Sequence, residues 1–550
     1  MEKTKHKRFE GTDGVTARAF EEQGGSLGQK AAEHLCVLDD SAVTHHRGPC
    51  MDFNPTLLPA SRLVRFSICV FMVACVGFFV VRTIDWPLVN DPAQIDYVCF
   101  LMDQGRAPYR DIIEMNMPGT YLVNWTVMHT LGGGALAWRL FDLSLMAAAA
   151  IAMLVIAWPT GWLGGFLAAV LLILFHGRDG PGQQGQRDLI MAVLLVGGWA
   201  FLFHGLRRRQ SWPWFFFGVC AMTAVTIKPT PLPFVVLLLC AAVLRLQRGD
   251  HPFMLPLLAS LGGMLVPIVI VSAFLLREHA AGPFLHVVCV VLPFYADLGR
   301  RDLTFLLNHC LTPSLDVFLL LAVAVAVVVP HWRDWESNML LLGVACGLFS
   351  FFSQAKGFPY QRYPLVAFLF LWAGLKFTSA LDCPGTGRML GLAGIFFAVS
   401  VAPQYAARAC HRQWRDEFIT SLSTDLYRLG GQRLSGHIQC LSMPADCDTV
   451  LYRMKLLQAS GLAYDFFIFG SPTEPVVQEY RAQFLQEIQR TPPAVFVVAE
   501  GLYPDDTDDY QKLQQWPQLR DYLGDYVRYD QREFTHSESG YSGFRVYVRK

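Results

Sequence analysis

The chain has 550 residues, of which 53% are hydrophobic and 16% are charged, and its formal net charge is zero. Soluble domains carry charge on about a quarter of their residues, so this composition is typical of a membrane protein. The lack of net positive charge argues against a nucleic-acid partner.

Residues 1–60 are polar, contain glycine and show no hydrophobic periodicity, which predicts a disordered tail. Arg62 and Arg65 follow this tail and precede the first apolar segment. Basic residues in short flanking segments stay on the cytoplasmic side of a membrane. The sequence therefore predicts a cytoplasmic N-terminus.

A membrane-spanning helix needs about 20 apolar residues. By this measure, residues 61–405 form a transmembrane region of an α-helical polytopic protein. Its predicted spans, about eleven in number, lie at 63–82, 139–158, 160–176, 189–206, 211–227, 232–247, 254–276, 314–330, 338–354, 361–380 and 389–405. The apolar segments 118–131 and 284–294 are short, and we interpret them as interfacial or re-entrant parts of outer loops. Eleven spans place the C-terminus outside the cytoplasm and the basic cluster Arg207–Arg209 inside it.

Residues 406–550 combine strand and helix patterns, which predicts a small soluble extracytoplasmic α/β domain. Its predicted elements are strands at 464–469, 494–499 and 544–548 and an amphipathic helix at 475–489. Cys440 and Cys447 lie close enough in sequence to form a short disulfide if this domain is outside the cytoplasm.

Four groups of polar residues fall in the predicted outer loops. They are the first outer loop, 83–138, with Asp91, Asp96, Arg110, Asp111, Glu114 and Asn116; the segment Gly185–Asp188; Tyr295, Asp297, Arg300 and Arg301; and the segment Lys356–Tyr363. Carboxylates can activate a hydroxyl or bind a cation, and Arg and Lys can bind phosphate. Each group taken alone also permits a structural role, such as a helix N-terminal charge for Asp91 or Asp188 or a membrane-interface anchor for Lys356.

The order of motifs in these loops is more specific than any one of them. The motifs are Asp91-Pro92, Gly105–Asp111 (GRAPYRD), Glu114–Gly119 (EMNMPG), Gly185–Asp188 (GQRD) and Lys356–Tyr360 (KGFPY). This arrangement resembles the polytopic lipid-dependent glycosyltransferases of the C-type fold, which include protein O-mannosyltransferases and the lipid A aminoarabinose transferase. It is most similar to their uncharacterised bacterial branch, and the resemblance covers about residues 60–405.

The resemblance implies an inverting transferase of the cell membrane. Its donor would be a sugar on a polyprenyl phosphate at the outer leaflet, and its acceptor a lipid, a glycan or a protein. Asp91 would be the catalytic acid–base or metal-binding carboxylate, and Asp188 the second carboxylate. Some relatives hold a divalent cation and others do not, so binding of Mg²⁺ or Mn²⁺ at Asp91 and Asp188 stays open.

The polar loops also supply candidate supporting residues. Those expected to bind the donor or its phosphate are Arg187, Arg300, Lys356, Tyr360 and Arg362, and those expected to support the loop are Tyr109, Arg110, Asp111, Glu114 and Asn116. One departure matters: many relatives have a lysine just before the proline of the Pro-rich turn, and this chain has Met117. The phosphate must then be held by a cation from elsewhere in the chain.

Two other classes of protein fit parts of the pattern. A secondary transporter also has interrupted helices and charged residues, but it is expected to place the charges near the bilayer midplane in two similar halves. Here the charges gather at one face, and no repeat between halves is evident. A non-catalytic membrane scaffold of envelope assembly is the third possibility, with residues 406–550 as its binding module.

Overall fold

The computed structural model describes residues 58–329, 334–411, 417–442, 446–504, 510–534 and 543–550. The predicted disordered tail, residues 1–60, lies outside the described residues except for its last three. Those three residues belong to the first helix.

Helices dominate the chain as far as residue 411. In chain order they are α1 (Leu58–Thr83), α2 (Asn90–Asp103), α3 (Pro118–Thr130), α4 (Ala135–Ala157), α5 (Trp162–Arg178), α6 (Arg187–Arg208), α7 (Trp212–Ile227), α8 (Leu232–Arg248), α9 (Met254–Arg277), α10 (Ala281–His286), α11 (Leu292–Asp297), α12 (Leu303–Cys310), α13 (Pro313–Val328), α14 (Trp335–Gln354), α15 (Tyr363–Ala380) and α16 (Thr386–His411). A π-helical segment, Val287–Val291, joins α10 to α11.

Helices lie at all the positions predicted to span the membrane, but not all are long enough to do so alone. Seven of the described helices are long and apolar enough, and an eighth crossing results if α12 and α13, bent by 78°, count as one. The prediction of about eleven spans is therefore supported in part. Helices α5, α7 and α8 are shorter, with 17, 16 and 17 residues. Glycine or proline residues at their ends explain this, because they interrupt helices.

Small residues allow the helices to pack closely. A methyl group added to Gly218 of α7 would overlap the carbonyl oxygen of Ser260, and one added to Gly263 of α9 would overlap that of Phe215. The backbones of α7 and α9 are therefore in direct contact, which is the usual way that membrane helices associate.

The C-terminal part is a mixed α/β structure. Its elements are α17 (Glu417–Leu429), β1 (Ile438–Leu441), α18 (Asp446–Met454), α19 (Phe466–Phe469), α20 (Pro475–Arg490), β2 (Val495–Ala499), α21 (Pro517–Tyr522), β3 (Tyr526–Glu533) and β4 (Gly543–Arg549). The sheet order is β1-β2-β4-β3. β1 and β2 are parallel, and β4 is antiparallel to both of its neighbours.

The strand predicted at 464–469 is wrong. Residues Phe466–Phe469 form the short helix α19, in which all four side chains are buried. A short continuous apolar run does not distinguish a buried strand from a buried helix, and tertiary packing selects the helix here. The predicted helix at 475–489 and the predicted strands at 494–499 and 544–548 correspond to α20, β2 and β4, whereas β1 and β3 were not predicted.

The first outer loop and the C-terminal part share one hydrophobic core, separate from the core of the membrane helices. Tyr97 of α2 connects them: its hydroxyl donates to the carbonyl oxygen of Leu456 and accepts from the amide of Gln458, both at 3.1 Å. The predicted Cys440–Cys447 disulfide is present and ties β1 to α18. The loop that carries Asp91 is therefore held on two sides, by the membrane helices and by the α/β structure.

Candidate functional site

Asp91 lies in the first turn of α2, where the positive end of the helix dipole favours a carboxylate. Its Oδ2 accepts from Nη2 of Arg187 at 3.0 Å. Arg187 is the first residue of α6. The Asp91 side chain keeps 22% of its surface exposed, so a substrate can reach it while the ion pair is intact.

Asp188, the next residue along α6, forms a second ion pair. Its two oxygens accept from Nζ of Lys228 at 2.9 and 2.8 Å. The Asp188 side chain is 0% exposed, so it depends on this partner, because an unpaired buried charge is costly. Together, Asp91, Arg187, Asp188 and Lys228 form a cluster with no net charge, which we call the ion-pair cluster.

The sequence assignment did not include Lys228 among the donor-binding residues. It follows the last residue of α7 and precedes Pro229, and its backbone is extended, with φ −155° and ψ 128°. Proline disfavours a helical conformation in the residue before it. The Lys-Pro pair therefore ends the helix, and the ammonium group of Lys228 meets Asp188 beyond the end of α7.

A fully buried network positions the segment that leads to Asp188. Asp142 accepts from Arg139 at 2.5 Å and from the backbone amide of Gly185 at 2.8 Å. His176 lies between Asp142, at 3.1 Å, and the hydroxyl of Tyr363, at 2.7 Å. Arg139 and Asp142 are three residues apart within one apolar helix, and that spacing is the sequence signal that could have identified them.

Glu114 is the centre of a second polar group beside the cluster. It accepts from Asn116 at 2.8 Å, from Gln94 at 3.4 Å and from the hydroxyl of Tyr121. Tyr464 from the C-terminal part also bonds Asn116 and Gln94. Burial raises the pKa of Glu114, although these donors and the charge of Arg187 oppose the effect. Glu114 and Asn116 are thus interior residues next to the ion-pair cluster.

Two more tyrosines face the Asp91–Arg187 pair. Burial raises the pKa of Tyr295, and its phenol is close enough to Arg187 and Asp91 to be affected by both charges. Tyr360, a predicted donor-binding residue, lies within the same electrostatic range of Asp91, Arg187 and Asp188. Two loops therefore place phenol groups within electrostatic range of the Asp91–Arg187 pair.

The other predicted phosphate ligands lie elsewhere. Lys356 donates to the carbonyl oxygens of Tyr295 and Ala296 at 2.9 and 3.1 Å and to that of Leu298. Burial lowers its pKa to about 8, and Asp297 partly opposes this. Its contacts indicate that it holds the 295–298 segment.

Arg300 is 69% exposed and its nearest acid is Asp297, at 3.7 Å. Arg362 pairs with Asp179 at 3.1 Å, in a different group of charges. Of the predicted donor-binding arginines and lysine, only Arg187 contacts a predicted catalytic carboxylate.

The remaining loop residues stabilise the bend of the first outer loop. Asp111 accepts from Arg110 at 2.6 Å and from the amide of Ala107 at 2.8 Å. The hydroxyl of Tyr109 donates to the carbonyl oxygen of Asn116. These contacts fit the supporting role predicted for Tyr109, Arg110 and Asp111.

The ion-pair cluster fits a divalent cation poorly. A hard cation prefers several free oxygen ligands, whereas both oxygens of Asp188 bond Lys228 and an oxygen of Asp91 bonds Arg187. Among the described residues, no group of three or more His, Cys, Asp or Glu side chains could hold a metal ion.

Asp96, on the same helix as Asp91, gives a prediction about stability. Both its oxygens are buried without a hydrogen-bond partner among the described residues. Burial raises its pKa well above the usual value, and Lys455 opposes the shift. Because the folded state disfavours the charged form, stability should fall as pH rises above about 3.9, the pKa of an unfolded Asp, by up to about 1.4 kcal/mol per pH unit.

We expect Asp96→Asn to remove this pH-dependent loss, which thermal unfolding of purified protein between pH 4 and 8 would measure. Asp521→Asn, at an exposed position, is the control and should keep the wild-type slope. An unchanged slope in Asp96→Asn would show that Asp96 is not the titrating group.

Comparison with solved structures identifies the fold. ArnT from Cupriavidus metallidurans in the apo state matches with a TM-score of 0.54 at 14% identity, over 87% of this chain and 97% of that chain. The chain has the fold of ArnT. The C-type glycosyltransferase fold predicted from the sequence is thereby confirmed. At this identity, the likeness establishes the fold and leaves the reaction to be proposed.

Two further structures are similar to the chain. ArnT from Cupriavidus metallidurans bound to undecaprenyl phosphate matches with a TM-score of 0.49 at 12% identity, over 87% of this chain and 97% of that chain. The Archaeoglobus fulgidus oligosaccharyltransferase in the apo form matches with a TM-score of 0.47 at 12% identity, over 79% of this chain and 69% of that chain. No family model matches the chain, and a search of curated proteins finds no match.

Proposed function

We propose that the chain is an inverting glycosyltransferase that moves a sugar from a polyprenyl-phosphate donor to an acceptor at the outer face of the membrane. The observation that carries the proposal is the ion-pair cluster. It holds two carboxylates and two cations in the ArnT fold, with one carboxylate accessible and the other buried. Such a cluster supplies a base for the acceptor hydroxyl and cations for the donor phosphate.

The cluster can perform a single displacement. Asp91 accepts the proton of the acceptor hydroxyl, and the acceptor oxygen bonds the anomeric carbon. The bond from that carbon to the phosphate oxygen breaks, and polyprenyl phosphate leaves with the electron pair. Arg187 and Lys228 stabilise the charge that develops on the phosphate. One in-line displacement inverts the anomeric centre.

An apolar cavity beside the cluster suits the donor's hydrocarbon tail. It has a volume of about 310 Å³ and is lined by residues of α3, α4, α7 and α9, among them Gly119, Val123, Thr226 and Pro267. Thr226 is two residues from Lys228, so a tail in this cavity would bring its phosphate to the cationic end of α7. Many relatives have a lysine at the position of Met117. We propose that Lys228 supplies the positive charge that this lysine supplies in them.

The test is transfer by the purified protein. Polyprenyl-phosphate donors that carry a labelled sugar are presented in lipid discs together with envelope lipids or glycans, and mass spectrometry identifies the product. A deletion strain shows which glycan disappears in cells. We expect release of polyprenyl phosphate and transfer that persists in EDTA. No turnover of any donor by folded protein would contradict the proposal, and activity lost in EDTA and restored by Mg²⁺ or Mn²⁺ would contradict its metal-free form.

We also propose that the cluster and the C-terminal part face away from the cytoplasm, as the predicted span count and Arg207–Arg209 imply. With the exposed Cys240 and Cys289 replaced by Ser, Asp521→Cys should react with an impermeant maleimide in intact cells. Asp250→Cys, in the loop after α8, should react only after lysis. The opposite pattern would reverse the orientation and place the site inside.

A further inference from the structure

A second charged cavity lies apart from the ion-pair cluster. It has a volume of about 730 Å³ and is lined by the C-terminal ends of α5 and α16 and the N-terminal end of α13. Arg178 and Asp179 form one wall, Thr312 a second, and Arg408 and His411 the third. These helix ends are on the same side of the membrane region as the start of α6, so the cavity opens toward the same leaflet as the cluster.

The buried charges of this cavity do not balance. Arg178 donates to Oδ1 of Asp179 at 2.8 Å, and Arg362 donates to Oδ2 at 3.1 Å. Two guanidinium groups thus share one carboxylate, and all three side chains are largely buried. Arg408 adds another positive charge at the exposed rim. Neither Arg362 nor Asp316 lines the cavity itself. Arg362 contributes to the charge balance because it shares the buried Asp179, whereas Asp316, the acid in the first turn of α13, is exposed to solvent.

The guanidinium of Arg178 is held in position. Its guanidinium lies 4.1 Å from the ring centroid of Phe175 and 5.3 Å from that of Tyr405. Its Nη1 donates to the hydroxyl of Thr312 at 3.3 Å. Thr312 is the N-cap of α13, so the positive end of that helix dipole adds to the field of Arg178. An anion in the cavity would therefore meet prearranged positive charge.

The apolar surface of α13 and α16 next to the cavity is suited to acyl chains. Helices α13 and α16 pack against each other and present exposed apolar side chains such as Leu320 and Phe396. A molecule with a phosphate at one end and hydrocarbon at the other would match both parts. A basic pocket between membrane helices is a known setting for lipid headgroups.

We propose that this cavity binds the phosphate of an anionic membrane lipid. The site is distinct from the proposed transfer site, because none of the residues that line the cavity belongs to the ion-pair cluster. The short helix Pro359–Arg362 carries both Tyr360, which is within electrostatic range of Asp91 and Arg187, and Arg362, which pairs with Asp179. A lipid bound at Arg178 would hold one side of this segment while the other faces the ion-pair cluster.

The test is lipid binding by the purified full-length protein. Native mass spectrometry and thermal unfolding would compare phosphatidylglycerol, phosphatidylcholine and inorganic phosphate. The variant is the double substitution Arg408→Gln/His411→Gln, since both residues are exposed and their loss should leave the fold intact. The control is Arg388→Gln, an exposed arginine at the other end of α16.

We expect phosphatidylglycerol to bind and stabilise the wild-type protein, and the double variant to bind it at least about tenfold more weakly, as for loss of a charge-assisted contact. Arg388→Gln should bind as the wild type does. Equal binding by the double variant, or an equal loss in Arg388→Gln, would overturn the proposal. Stabilisation by inorganic phosphate that matches the lipid would overturn it by identifying a free anion as the ligand. None of these outcomes depends on sugar transfer.

Discussion

Replacing Asp91 by Asn should reduce sugar transfer by about 10²–10⁴-fold, the usual cost of losing a general base. The amide keeps the size of the carboxylate but cannot accept the acceptor's proton. Because Asp91 is partly exposed and the Asn amide oxygen can still accept from Arg187, the variant should insert and fold. Turnover at saturating donor and acceptor, with size-exclusion chromatography to verify folding, measures the effect.

Asp111→Asn is the matched control for this variant. Asp111 lies in the same outer loop and bonds Arg110 and the amide of Ala107, so its loss should loosen the loop and change turnover only a few-fold. If Asp91→Asn transferred sugar at the wild-type rate, Asp91 would not be the base, and the site assignment from the motif order would fail with it.

Removing the charge of Lys228 should affect both stability and turnover. In Lys228→Met, the carboxylate of Asp188 is left buried without a cation, a change that typically costs about 3–5 kcal/mol. The same substitution removes a cation proposed to face the donor phosphate. We expect a large fall in the unfolding temperature and nearly complete loss of transfer.

The double variant Asp188→Asn/Lys228→Met separates the two effects. It removes both charges, so much of the stability should return because no unpaired carboxylate remains in the interior. Transfer should stay absent, since the phosphate still lacks its cation. Recovery of turnover along with stability would show that Lys228 acts only on the fold.

Lys376→Met is the control for Lys228→Met, because it also removes a buried lysine from the membrane region. Lys376 lies 3.9 Å from Asp334, which is half-exposed and can be solvated without its partner. Its loss should therefore reduce stability far less than the loss of Lys228. A loss as large as that of Lys228→Met would contradict the role assigned to burial of Asp188.

Hydropathy was sufficient for most helices of the membrane region, because the cost of exposing backbone polar groups to lipid permits little else. It was insufficient where an apolar segment lies in a protein core. Residues 466–469 have the composition of a strand and form a buried helix. Burial on all sides removes the alternation by which a strand is recognised, so only the packing of α19 against α20 and the sheet decided its conformation.

The candidate site also has a part that the sequence predicted and a part that only packing decided. The resemblance assigned Asp91, Arg187 and Asp188 to one expected site, and the structure places the three residues in one cluster. Arg300, Lys356 and Arg362, expected at the same site, have other neighbours in the structure. A basic residue in a loop sequence carries no information about which acid or carbonyl group it meets.

The sequence by itself determined that this is a helical membrane protein and that polar motifs gather in the loops between its apolar segments, with Asp188 at the start of one of them. Tertiary structure alone decided which cation each carboxylate meets: Lys228 approaches Asp188 from another helix, and the Asp142 network fixes the turn before it. Helix formation and membrane burial depend on local composition. Charge pairing depends on distances of a few ångströms between segments that are far apart in sequence, and only the packed fold sets these distances.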